Sequence, residues 1–307
     1  MSLPSPALPA APSALDARSP AERRSRRIGI ALMCGALMCF ACLDASGKWL
    51  NHHIPTLEIV WARYVGSAFV ILAFVNPLNT PHMFATKRLG LQLLRSVLLF
   101  VSTAMNFFAL RHLQLAETMS ISFAMPILVA LLAGPMLGEW VGPRRMAAIL
   151  VGLVGVLIVT RPGGDMNPAV LYSIVGTLCY AIYAITTRML AAHDGSRTTL
   201  AYSSLTGVLV MTPALPWIWQ APESALVWLV MGFTGFFGAL GHWLLILAHS
   251  RAPAAIVAPF VYTQIIWMTA LGFLVFGDLP QSATIIGAGV VMASGGYLLY
   301  RERAERA

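Results

Sequence analysis

The stretch ALMCFACLDASGKWL, residues 36–50, sets Asp44 and Lys48 into a run of apolar and small residues that has carried no charge since Arg27. Written above GTLCYAIYAITTRML, residues 176–190, it aligns Cys39 with Cys179, Phe40 with Tyr180, Ala41 with Ala181 and Lys48 with Arg188, at an offset of 140. Further along, ALRHLQLA (109–116) matches AHSRAPAA (248–255), and Gly138–Glu139 matches Gly277–Asp278, at an offset of 139. A nearly constant offset over so many residues marks an internal duplication.

The segments that are duplicated are greasy. Of 307 residues, 58% are hydrophobic and 10% charged, against roughly a quarter charged in a soluble domain. Mean hydropathy is +0.75. Apolar stretches of bilayer length fall at about 28–50, 56–76, 89–110, 114–137, 144–160, 168–190, 198–219, 224–247, 254–276 and 281–300. Turn-forming clusters such as NHHIP, RPGGDMNP, HDGSR and GDLPQ separate them. The reading is an all-α integral membrane protein with ten transmembrane helices.

The 20 Lys and Arg residues orient it. With the N-terminus inside, fifteen lie on the cytoplasmic side, Arg111 and Arg161 lie outside, and Lys48, Arg63 and Arg95 lie within or at the edge of spans. That bias places both termini in the cytoplasm of a bacterial inner (cytoplasmic) membrane protein. The basic residues sit in short loops and tails, so the net charge of +8 is an orientation signal and not a nucleic-acid surface. Residues 1–27, rich in Ala, Pro and Ser, read as a disordered cytoplasmic tail. Residues 28–161 form the first repeat, 162–300 the second, and 301–307 a cytoplasmic C-terminal tail.

Five spans per half is odd, so the second copy enters the membrane upside down. Two inverted five-helix repeats are a transporter architecture, with the substrate near midplane between the halves. Here the chain resembles the EamA branch of the drug/metabolite transporter superfamily. The resemblance rests on the ten spans, the duplicated Ala-containing element before spans four and nine, the Gly-Glu or Gly-Asp that ends those spans, and Arg63 after IPTLEIVWA. The segment from Asp44 through Lys48-Trp49 to Arg63 is similar to a branch that includes S-adenosylmethionine and riboflavin importers. The second half departs from the pattern, because Ser203 stands where a counterpart of Arg63 would be. The resemblance implies a cavity built from spans one, three, four, six, eight and nine.

Asp44 lies about 9 Å inside the outer end of span one and Lys48 close to that end. Four residues apart, they share a helix face and are expected to pair. Glu58 and Arg63 on span two and Glu117 in the first turn of span four join them, so the expected outer gate is Asp44, Lys48, Glu58, Arg63 and Glu117. Intramembrane charges mark pathways, and lone ones cost several kcal/mol. The expected substrate cavity adds Phe40, Asn106, Ser120, Tyr180, Tyr183, Thr187, His242, Tyr262 and Gln264 to Asp44. Arg95 is read as a snorkelling anchor, the glycines at 232, 235, 238 and 241 as close-packing positions, and Pro126 and Pro259 as hinges or kinks.

Cys39 and Cys42 have no second pair and no nearby His, so they are packing residues, not a redox or zinc motif. Asn167-Pro168-Ala169 occurs once, and Gly47-Lys48 fails the phosphate-loop spacing. The expected protein is no enzyme, carries no cofactor or metal, and binds no nucleic acid. It is a secondary transporter of a small metabolite such as an amino acid or a relative, working by alternating access. An importer of S-adenosylmethionine- or riboflavin-like compounds is the alternative, and a passive pore is the rival from another class. Its partners are a small-molecule substrate, the lipid bilayer and a proton or counter-substrate, in a monomer or weak homodimer.

Overall fold

The computed structural model describes residues 20–74, 85–138, 140, 142–162, 166–190, 193–252 and 254–306. Among them there are helices and no strands. They are α1 (Pro20–Leu50), α2 (Thr56–Phe74), α3 (Leu89–Leu110), α4 (Leu115–Ser122), α5 (Met125–Leu137), α6 (Pro143–Thr160) and α7 (Val170–Leu190). The chain continues through α8 (Ser196–Met211), α9 (Leu215–Ile218), α10 (Ala225–Arg251), α11 (Ala254–Val257), α12 (Gln264–Phe276) and α13 (Ser282–Arg306).

Among the described residues five stretches are long and apolar enough to cross a bilayer: Ala21–Leu50, Leu89–Leu110, Leu115–Leu137, Val170–Leu190 and Ala225–Arg251. Met146–Thr160, Phe260–Phe276 and Ser282–Leu298 are shorter apolar helices. Exposed Leu and Val on α6, and Ile285 and Ile286 on α13, leave an apolar exterior, as a multi-pass membrane protein requires.

Both expected tails are partly helical. α1 begins at Pro20, not after Arg27, and α13 runs on through Arg301 to Arg306. Pro at the first helical position and Glu22 in the first turn start α1 well. A charged helical turn outside the bilayer leaves no mark on hydropathy. Residues 1–19 of the expected tail lie outside the described residues.

Two expected spans are broken at membrane depth. α4 ends at Ser122 and α5 starts at Met125, because Pro126 lacks the N–H that would reach the Ser122 carbonyl. In the second half the ladder tightens to a 3₁₀ turn over Ala258–Thr263, the segment that contains Pro259, before α12 begins. Both broken helices then end on a left-handed glycine, Gly138 at φ 75° and Gly277 at φ 70°. A side chain there would be strained.

α1 lies along α10, α3 along α7, α6 against α13, and α2 against both α8 and α10. Glycines let the backbones approach. A Cβ at Gly235 would stand 2.5 Å from Gly66 Cα, and one at Gly241 2.7 Å from the Phe40 ring. Gly232 faces open space, so three of the four glycines on α10 serve packing and one does not. All four cysteines are free thiols.

Candidate functional site

The helix breaks open onto a cavity of about 280 Å³. Irregular backbone at membrane depth is tolerated where it is buried or lines a cavity, and Phe123 and Pro126 at one break and Val261 and Tyr262 at the other all line this one. α1 contributes Phe40 and Asp44, α2 Arg63, α3 Thr103, Asn106 and Phe107, α7 Tyr180 and Thr177, α10 Leu245, and α12 Gln264. The cavity therefore includes the second span as well as the six expected. Of the expected lining residues, Phe40, Asp44, Asn106, Tyr180, Tyr262 and Gln264 meet there.

Asp44 does not pair with Lys48. Its Oδ1 accepts a 2.9 Å hydrogen bond from Asn106 Nδ2, across 62 residues of sequence. Arg63 lies at the same cavity, 8% exposed, with Nη1 donating 3.2 Å to Thr103 Oγ1 and the guanidinium 5.0 Å from the Tyr64 ring. Its Nε is buried without an acceptor. Tyr64 Oη also donates to Thr103, at 3.3 Å, so the Thr103 hydroxyl is shared by two donors. Asp44 and Arg63 are within electrostatic reach of each other yet form no ion pair.

Lys48 pairs with Asp278, 230 residues away in the turn after α12, and its ammonium stands 4.7 Å from the Phe276 ring centre. The same-face spacing to Asp44 was real, but a tertiary partner captured each charge separately. Glu117 sits in the first turn of α4, within electrostatic reach of Lys48 and Arg161. Glu58 belongs elsewhere. It is fully buried, away from the cavity lining, and its Oε2 accepts the Gln220 backbone N–H at 3.0 Å. A matching tie stands between the other loops, where Asp194 accepts from Thr86 Oγ1, from Lys87 N (3.1 Å) and from Gln92 Nε2 (2.9 Å). Burial pushes the Asp194 carboxyl up, but the hydrogen bonds from Thr86, Lys87 and Gln92 together with nearby His193 outweigh it and hold the carboxyl below its ordinary value.

Arg95 is the residue the sequence misjudged. It is 4% exposed and anchors no headgroup. Nε donates to Thr187 Oγ1 (2.7 Å), Nη1 to Thr199 O (3.1 Å) and Ser203 Oγ (2.7 Å), and Nη2 to Tyr183 Oη (2.8 Å). The Thr187 and Ser203 hydroxyls in turn donate to the Tyr183 and Thr199 carbonyls, so both are free to accept from the guanidinium. This cluster ties α3 to α7 and α8. It also removes Tyr183 and Thr187 from the cavity, where Tyr180, one turn away with its ring 5.2 Å from that of Tyr183, remains. Ser203, the position lacking an arginine of its own, receives one from α3. Ser120 is fully buried and donates to Ala116 O, and His242 packs edge-on against Phe40 at 5.1 Å, behind the cavity wall.

Comparison with known proteins fits a chain built around such a cavity. A Rickettsia bellii protein named S-adenosylmethionine uptake transporter is 26% identical over 285 residues, covering 90% of this chain and 94% of its own. A Vibrio cholerae serotype O1 protein named riboflavin transporter is 26% identical over 279 residues, covering 88% and 92%. A protein crystal structure superposes with a TM-score of 0.62 over 93% of this chain and 99% of that one, at 15% identity, which is a likeness of fold alone. The model of the EamA-like transporter family matches twice, over residues 27–161 and 167–300. The chain belongs to the EamA-like transporter family.

Proposed function

We propose that this protein is a secondary transporter of a bacterial inner membrane, carrying a small metabolite by alternating access through the Asp44–Arg63 cavity. The observation that carries the reading is that cavity: a half-buried acid and a buried base facing the same space between helices, beside two broken helices. A pore would require polar lining that repeats between the halves. Here an offset of 139 to 140 carries Asp44, Arg63 and Asn106 to Ala184, Ser203 and Leu245, so the charges belong to one half.

Ten spans in two inverted repeats form the scaffold of this reading, and contacts related by the offset support it. Gly138 and Gly277 make the same left-handed stop. Gly155 packs on Gly287, and the offset carries that pair to Ser294 and Ala148, whose contact is a 2.6 Å hydrogen bond from Ser294 Oγ to Ala148 O. The packing of α1 on α10 corresponds to that of α7 on α3. Both termini are cytoplasmic, residues 28–161 and 162–300 rock about an axis in the membrane plane, and Lys48, Asp278 and Glu117 gate the outer end.

The substrates named for the Rickettsia and Vibrio relatives make S-adenosylmethionine- and riboflavin-like metabolites the alternative to simple amino acids. A thermal-shift screen of the purified protein against metabolites, followed by uptake of each hit into proteoliposomes, tests the reading. Saturable uptake that Asp44→Asn abolishes supports it. Uptake by protein-free liposomes at the same rate overturns it.

A further inference from the structure

Resting on the transport reading and its orientation, we propose that the two ends of the cavity close by different physics. A dry apolar plug, Met33 and Leu37 of α1 against Leu245, Val257 and Val261 of the second half, seals the cytoplasmic end. The outer path keeps a polar, hydrated wall and is shut by charges.

Met33, Leu37 and Val257 are buried in one cluster with Ala248 and Ala252 near the inner end of α10. Leu245, Phe260 and Val261 pack against that cluster. Leu37, Leu245 and Val261 also line the cavity, so the plug lies directly beneath it. Further toward the cytoplasm α1 and α10 stay in contact, since a Cβ at Gly29 would stand 2.8 Å from that of Ala252. Apolar constrictions gate by excluding water, and an ion finds no partner in such a contact.

The internal duplication sets this plug against its own mirror. Offsets of 139 and 140 relate Leu37, Leu245 and Val261 to Thr177, Asn106 and Ser122, which line the same cavity. One layer further out, Met33 and Val257 correspond to Ser173 and Thr118. Each apolar plug position thus has a hydroxyl or an amide as its mate. Those mates lie toward the outer end, Ser173 and Thr177 in the first turns of α7, Asn106 one turn from the end of α3, and Thr118 and Ser122 on α4. Phe123 and Tyr262, mates at the offset of 139, meet edge to face at 5.1 Å, so the two walls adjoin inside the cavity. Water needs polar partners, which the outer wall supplies and the plug does not. Closure outside falls to the Lys48–Asp278 ion pair.

Thiol labelling of the full chain tests this, in inside-out and right-side-out membrane vesicles with an impermeant methanethiosulfonate. The native cysteines are removed and Ser102→Cys, on the cavity wall, is the reporter. Giving the plug the residues of its mates, Leu37→Thr, Leu245→Asn and Val261→Ser together, should raise labelling from the cytoplasmic face at least about tenfold. The apolar exchange Leu37→Met with Leu245→Met keeps volume and dryness and should leave that rate within about threefold. Hydroxyl-radical footprinting of the wild-type chain in lipid nanodiscs keeps the test valid if the triple variant fails to fold. There Met119, on the cavity wall, should oxidise well before Met33. A triple variant that labels from the cytoplasmic face no faster than the apolar exchange overturns the plug, and so does Met33 oxidised as fast as Met119. Labelling as expected, with no counterflow of any metabolite in liposomes, sinks the carrier reading and keeps the plug. Counterflow by a chain whose two plug variants label alike does the reverse.

Discussion

Replacing Arg95 by Lys keeps the charge and removes the fork. The guanidinium spends four of its five N–H groups on Thr187, Thr199, Ser203 and Tyr183, spread over two neighbouring helices. An ammonium has three donors on one atom, so it reaches at best two of these acceptors. Hydrogen bonds to a charged group contribute about 1.5–3 kcal/mol each. Losing two, offset by easier rotation of the freed hydroxyls, gives a destabilisation of about 2–4 kcal/mol. For a chain of this size that lowers the midpoint of thermal unfolding by roughly 3–6 °C. The assay is intrinsic fluorescence on heating in one detergent at one scan rate, since unfolding of such proteins is often irreversible. Arg88→Lys, on an exposed side chain just before α3, is the control and should move the midpoint by less than about 1 °C. An Arg95→Lys midpoint within that margin of wild type refutes the fork argument.

Further tests follow from other contacts. Lys48→Gln or Asp278→Asn should each cost about 1–3 kcal/mol, between the values for exposed and buried pairs, and the exchanged pair Lys48→Asp with Asp278→Lys should recover most of it in the same melting assay. Recovery no better than the sum of the single variants would show that the two charges do not act together. Gly235→Ala should lower the unfolding midpoint, because its Cβ would meet Gly66 Cα at 2.5 Å, a clash worth about 1–3 kcal/mol. Gly232→Ala, with nothing within 4 Å, should be neutral or stabilising; equal losses at both sites would count against the packing role. A cysteine replacing Glu223 should react with an impermeant thiol reagent from outside the cell, in a background lacking the native cysteines. Labelling only from the cytoplasmic side would reverse the topology.

Local features of the fold were legible, and partners across the fold were not. Proline placement foretold the break between α4 and α5, since a missing N–H acts on its own helix. Apolar run lengths marked the helices but stopped short at α1 and α13, whose charged ends stay helical where hydropathy is blind. Four-residue spacing, all that local sequence offers, pairs Asp44 with Lys48. Their actual partners lie 62 and 230 residues away. Tyr180, Tyr183 and Thr187 do share a helix face, yet depth divides them, with Tyr180 at the cavity and the other two at Arg95. That arginine resembled an interfacial anchor from its place near a helix end. Its real surroundings needed the positions of α7 and α8, and its only sequence signal was a charge inside an apolar run.

Counterflow tests the central claim most directly. Proteoliposomes loaded with an excess of an unlabelled metabolite, chosen from the thermal-shift screen, are diluted into a trace of the same compound in labelled form. A carrier with one cavity exposed to each side in turn predicts a transient accumulation of label above the external level, saturable in substrate and absent from Asp44→Asn. Label that enters without overshoot, at a rate linear in concentration and unchanged by Asp44→Asn, would contradict the carrier and point to a pore.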